Sequence, residues 1–244
     1  MSGHSKWNNI KRKKEKTDTQ RAKIFTKMGR EIMVAVREGG PDPNNNGKLR
    51  DVIAKAKANN VPTDNIERII KKAEGGDKAD YETIIYEGYG PAGVAVIVES
   101  LTDNRNRTAA DVRHYFDKYG GNLGTNGCVS FMFQQKGVIV IDMQGLNEDK
   151  VMEDGIECGA EDISFEDGVA EIYTSTADLR DVREAFENKK YSFISAEIEY
   201  VPDNYVKLEG EDNLKKMGTL LELLEDNDDI QGVWHNLENE EDLP

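Results

Sequence analysis

"DISFEDGVAEIYT" (Asp162–Thr174) reads as two short strands around an Asp-Gly turn. "DISFE" and "VAEIYT" are rich in β-branched and aromatic residues, and Asp167-Gly168 is a turn dipeptide that favours a tight hairpin. Outward from it, Val138–Ile141 is a strand and Glu148–Gly155 a short helix on one side. Thr176–Asn188 is a helix and Ser192–Tyr200 a strand on the other. The order β-α-β-β-α-β is that of the ferredoxin-like split motif.

The flanks do not complete a fold separately. Before this unit, Thr83–Tyr86 and Val94–Val98 are strands around the loop "EGYGPAG". Thr108 with Asp111 has capping-box spacing, and Val112, Tyr115, Phe116 and Tyr119 mark one face of a helix ending at Gly120-Gly121. "CVSFMF" (Cys128–Phe133) reads as a strand. After the unit, Pro202 breaks the chain, Asn213–Glu225 is a helix and Ile230–Trp234 a strand. Joining these pieces gives a second ferredoxin-like α+β domain over 78–134 and 203–244, with 135–202 inserted into it.

The N-terminal part is helical. Thr17 and Gln20 have capping-box spacing, and Gly39-Gly40-Pro41 stops the helix they open. Ile24, Phe25, Met28, Ile32, Ala35 and Val36 share one stripe, while Lys23, Lys27, Arg30 and Arg37 lie opposite. Leu49, Val52, Ile53 and Ala56 repeat at helical spacing. So do Ile66, Ile69, Ile70 and Ala73, after an Asp64–Glu67 start signal and before Gly75-Gly76. The expected fold class is α+β: a three-helix domain over 17–77 and two ferredoxin-like domains. Residues 1–16 have too few apolar side chains to offset ordering entropy and read as a flexible basic arm.

Charge divides the chain more sharply than the elements do. The formal net charge is −15, yet residues 1–72 hold 18 Lys and Arg against 8 Asp and Glu, a balance of +10. The remainder holds 14 bases against 39 acids, a balance of −25. Such a split points to different partners for the two parts, with a polyanion for the basic one. The candidate contacts are Lys6, Lys11, Arg12, Lys13, Lys14 and Lys16 in the arm and Lys23, Lys27 and Arg30 on the first helix. Trp7 is placed to stack on a base or to pack on the helices. In "TDNRNRT" (Thr102–Thr108), Arg105 and Arg107 stand beside a helix N-terminus. They are a secondary anion contact, or they cap and neutralise neighbouring acids. Acidic runs such as Glu222–Asp229 read as solvated faces.

Catalytic constellations are missing from the sequence. "GGNLGTNG" (Gly120–Gly127) lacks the Gly-Lys-Ser/Thr of a P-loop and runs from helix to strand, the reverse of a dinucleotide loop. Asp111 and His114 could pair on a helix surface, but no nucleophile accompanies them. Cys128, Cys158 and three scattered histidines have no metal-ligand spacing. We expect no enzyme activity, no metal and no cofactor. With neither a signal segment nor an apolar span, we expect a cytoplasmic protein with no membrane partner.

"GHSKW" (Gly3–Trp7), "RAKIFTK" (Arg21–Lys27), "NNVPTDNIERIIKKAEG" (Asn59–Gly75), "YEGYGPAGVAVIVE" (Tyr86–Glu99) and "TDNRNRTAADVRHYFDKYGGNLG" (Thr102–Gly124) resemble the YebC family. The resemblance spans nearly the whole chain. It implies three domains with a cleft between them and no known catalytic activity. The family is described as DNA-binding transcriptional regulators. Its mitochondrial members resemble translational activators, and bacterial members are linked to translation of proline-rich stretches on the ribosome. The tail "NNIKRKKEKTDTQRAK" departs from the family's more alanine-rich segment and lacks the histidine often found there. The implied partners are therefore nucleic acid, as DNA or ribosomal RNA, together with the ribosome or the transcription machinery. The first helix offers Lys and Arg outward without an Asn or Gln set for base edges, which favours phosphate contacts over sequence readout.

Overall fold

The computed structural model describes residues 18–75 and 80–244, with side chains from Ala22 onward. The arm and the Thr17–Gln20 capping box lie outside the described residues. Two compact units emerge: one of Phe131–Tyr205 with Asn236–Glu241, the other of 18–130, 206–235 and 242–244.

The larger unit starts with three helices, α1 (Asp18–Gly39), α2 (Gly47–Ala58) and α3 (Thr63–Glu74). Their apolar stripes meet in one core, where Met28, Ile32, Ala35 and Val36 of α1 pack on Leu49, Val52 and Ala56 of α2 and Ile66 of α3. Asn46 caps α2 by accepting from the Leu49 N–H, and its amide also donates to the Ala35 and Gly40 carbonyls. The Asp64–Glu67 signal is not used as a cap. α3 follows Pro62, which is extended and offers no side-chain bond.

The same unit contains β1 (Glu82–Tyr89), β2 (Ala95–Thr102), α4 (Arg105–Lys118), β3 (Asn122–Leu123), α7 (Glu211–Asp226) and β8 (Ile230–His235). The sheet order is β3-β1-β2-β8, with every neighbour antiparallel. β2 is buried along nearly its whole length. Val112 and Phe116 of α4 are buried, as are Met217, Leu220, Leu221 and Leu224 of α7. β3 passes so close to β1 that a Cβ on Gly88 would lie 2.6 Å from the Asn122 carbonyl oxygen.

Two expectations fail here. "CVSFMF" is not a strand: Ser130–Met132 is a 3-10 turn, and the edge strand is Asn122–Leu123. The cause is Glu87, a buried carboxylate that accepts the N–H groups of Gly127 (2.8 Å), Val129 (2.9 Å) and Ser130 (2.8 Å). Donors held this way are unavailable to a ladder. Burial pushes the Glu87 carboxyl up, and these bonds outweigh that and hold it below its usual range. The Thr108–Asp111 box also gives way. Asn104 caps α4 by accepting from the Arg107 N–H, and Thr108 is buried inside the first turn.

The second unit holds β4 (Phe133–Asp142), α5 (Glu148–Cys158), β5 (Asp162–Glu166), β6 (Val169–Thr174), α6 (Leu179–Asn188) and β7 (Phe193–Pro202). Its sheet order β5-β6-β4-β7, wholly antiparallel, is the ferredoxin-like arrangement. The Asp-Gly hairpin joins β5 to β6 with positive φ at Asp167 and Gly168. In the first sheet the hairpin β1–β2 is instead the central pair. Ile139, Ile141, Ala170 and Ile172 pack under Val151 of α5 and Val182 and Phe186 of α6. In sequence the elements of this unit lie between β3 and α7.

Candidate nucleic-acid interface

Among the described residues, the sequence-predicted contacts of α1 all point at one acidic stretch, the end of α7 and the turn into β8. Lys23 Nζ is 3.0 Å from Asp226 Oδ2. Lys27 Nζ donates to the Glu225 carbonyl oxygen at 2.6 Å. Arg30 Nη1 donates to Asp229 Oδ1 at 2.6 Å and to the Asp228 carbonyl at 2.8 Å, with the Tyr81 ring 5.5 Å from its guanidinium carbon. Arg37 is drawn elsewhere, to Asp80 and the Tyr81 carbonyl.

Asp229 is the centre of this arrangement. Its other oxygen accepts from Arg107 Nη2 at 2.8 Å and Nε at 3.2 Å, Thr108 Oγ1 at 2.7 Å and Thr102 Oγ1 at 3.2 Å. The Asp229 side chain is 5% exposed and that of Arg30 15%. Burial pushes the Asp229 carboxyl up, but bonds from Arg107, Thr108 and Arg30 outweigh it and leave the group below its ordinary value. The reading of Glu222–Asp229 as a solvated face is therefore corrected at Asp229, which is buried. A signal was present in the sequence. Acids in the last turn of a helix oppose its dipole unless cations meet them; Lys23 pairs with Asp226 there and Lys27 takes the Glu225 carbonyl, while Arg30 reaches Asp229 beyond the helix end.

The two arginines of "TDNRNRT" separate. Arg107 joins Asp229 and, at 2.9 Å, Asp103. Arg105 is 68% exposed, with Glu82 at 3.9 Å. The structure thus brings Lys23, Arg30 and Arg107 to one polar depression with Asp103, Asp226 and Asp228. A phosphate entering there would have to displace carboxylates already bound. Lys6, Trp7, Lys11, Arg12, Lys13, Lys14 and Lys16 lie outside the described residues.

Among the described residues no cluster of His, Cys, Asp and Glu is arranged to hold a metal ion. No described helix is long and apolar enough to cross a membrane.

Comparisons with known proteins agree over almost the whole chain. The family model described as "TACO1/YebC protein N-terminal domain" matches residues 5–76, and that described as "TACO1/YebC second and third domain" matches 81–237. A "Probable transcriptional regulatory protein" of Finegoldia magna is 58% identical over 241 residues, covering 98% of this chain and all of that one. A protein of the same description from Caldicellulosiruptor bescii is 59% identical over 244 residues, covering 99% of this chain and all of its own. The crystal structure of a conserved hypothetical protein from Aquifex aeolicus superposes with a TM-score of 0.82 at 46% identity, covering 91% of this chain and 92% of that one. On these matches the chain belongs to the TACO1/YebC family.

Proposed function

We propose that this chain is a non-enzymatic regulator of gene expression that binds nucleic acid through its basic N-terminal third, with DNA as the target. The observation that carries this reading is the division of charge, +10 over residues 1–72 and −25 over the rest. An acidic body repels a polyanion, so contact is confined to the basic part. In this reading Lys6, Lys11, Arg12, Lys13, Lys14 and Lys16 grip phosphates, and Trp7 stacks on a base. The acidic α+β segments, 78–134 with 203–244 and the inserted 135–202, face protein partners in the cytoplasm. The names of the relatives support a regulatory role.

Titrating salt against the affinity of the full chain for a random-sequence duplex tests it. Log affinity should fall linearly with log salt, by about 0.9 per phosphate neutralised on duplex. Binding that is absent or indifferent to salt overturns the proposal.

One observation favours a second reading, a ribosome-bound translation factor. The described side chains of α1 include no Asn or Gln to read base edges. Co-sedimentation with ribosomes that is lost when Lys11, Arg12, Lys13 and Lys14 are changed to Gln would favour it. Absence of co-sedimentation would reject it.

A further inference from the structure

The cations of the helical region divide into two classes. Lys23, Lys27 and Arg30 are engaged by the acidic stretch at the end of α7. On α2, Lys48 and Lys55 occupy the flank that meets α1, with Lys48 Nζ 2.6 Å from Glu38 and Lys55 Nζ 3.1 Å from Glu31. Arg50 and Lys57 project from the other flank of α2. At ~100° per residue they lie ~20° apart and about 160° from their respective counterparts Lys48 and Lys55. Both are exposed, and neither has an acidic partner among the described residues. Lys71 on α3 is likewise exposed without one, and the exposed Arg68 donates, among the described residues, to the neutral side chain of Asn65.

Fold stability alone does not account for Arg50. A cation in the last turn of a helix answers the macrodipole, which covers Lys57 and Lys71. Arg50 sits near the start of α2, where the dipole opposes a cation, and the first turn has no acid to compensate. Lys48 in the same turn is neutralised by Glu38, whereas Arg50 meets no acid among the described residues.

We infer that Arg50, Lys57, Lys71 and Arg68 are phosphate-contacting side chains of the helical region, and that Lys23, Lys27 and Arg30 serve the fold. The inference rests on the nucleic-acid reading above and assigns its contacts. The ligand is the phosphate backbone of duplex DNA, the target proposed above.

The test compares log–log salt slopes of the full chain and variants on two probes, a random-sequence duplex and a polyuridine strand. The triple variant Arg50→Gln, Lys57→Gln, Lys71→Gln should lower the slope by about 2–3 on duplex and somewhat less on the single strand. Its thermal midpoint should be unchanged, because the three side chains are exposed. Arg50→Gln alone should lower the duplex slope by about 1. Lys23→Gln with Lys27→Gln should keep the slope and lower the thermal midpoint. If the parent chain binds with a salt slope and the triple variant keeps it, this assignment is overturned while the nucleic-acid reading stands. If the parent binds neither probe, both fall. A larger loss of slope on polyuridine than on duplex would overturn duplex DNA as the ligand of these side chains.

Discussion

Asp229 and Asp154 are both buried carboxylates met by several donors, but the donors come from different distances along the chain. Asp154 Oδ1 accepts from Lys150 at 3.0 Å, one turn earlier on α5, and from Lys189 at 2.6 Å. Its other oxygen accepts from Tyr191 at 2.7 Å. Every partner belongs to the same ferredoxin-like unit. The partners of Asp229 lie on α1, on β2 and at the start of α4, up to 199 residues away. One aspartate secures a helix inside its own module. The other ties the helical region to the first sheet, and it uses Arg30 of α1 to do so. The lesson is that a basic helix face is not by itself a ligand surface, because part of its charge can be consumed by the fold.

The comparison can be broken by removing either carboxylate. Asp229→Ala leaves Arg30 and Arg107 without their shared anion. Breaking a buried pair in this way costs about 3–5 kcal/mol, the largest effect expected here. Guanidinium denaturation followed by far-UV circular dichroism measures it, and a loss below ~1 kcal/mol would remove Asp229 from its central role. Asp154→Ala removes bonds to charged groups and should cost about 2–3 kcal/mol. Amide hydrogen exchange should localise that loss to α5 and residues 189–191 and leave α1 protected. Equal deprotection of α1 would contradict the local reading.

Acid titration sharpens the contrast. Bonds from Lys189, Tyr191 and Lys150 hold the Asp154 carboxyl well below the ordinary aspartate range, and Asp229 is lowered too. A lowered carboxyl binds fewer protons in the native state than in the unfolded one, so stability rises with pH between the two values. The contribution should be full above pH ~5 and decline below ~4, near the unfolded aspartate value. Asp154→Asn and Asp229→Asn should each flatten stability against pH in that window. The Tyr191 hydroxyl, pushed up to about 12 by burial and by its bond to Asp154, works at the other end. Its stabilising part is present below the unfolded tyrosine value and is lost as pH rises toward 12. The smallest effect expected is Glu87→Gln, about 1–2 kcal/mol. It should appear as faster exchange of the Gly127, Val129 and Ser130 amides.

Periodicity made most elements legible. The strands around Asp167-Gly168 end at the expected residues, and α1, α5 and α7 fall within three residues of their expected bounds. Local patterns succeed where a segment's own side chains decide its state. They fail where a distant group decides. "CVSFMF" has strand composition, but Glu87 claims its neighbouring N–H donors. Thr108 resembles a cap, but its hydroxyl donates to Asp229, 121 residues later. The same limit applies to the candidate site. Lys23, Lys27 and Arg30 are cationic in sequence, and only the fold reveals the acids that meet them. Arg50 and Lys57 meet no acid among the described residues, and their shared flank of α2 is visible from helical phase alone.

The most direct test of the account compares the full chain with residues 17–244 for binding to duplex DNA and to single-stranded RNA at physiological salt. The truncated chain should keep the far-UV spectrum and thermal midpoint of the full chain while losing most of the affinity for whichever nucleic acid the full chain binds. Undiminished affinity after removal of residues 1–16 would contradict a basic arm that leads the contact.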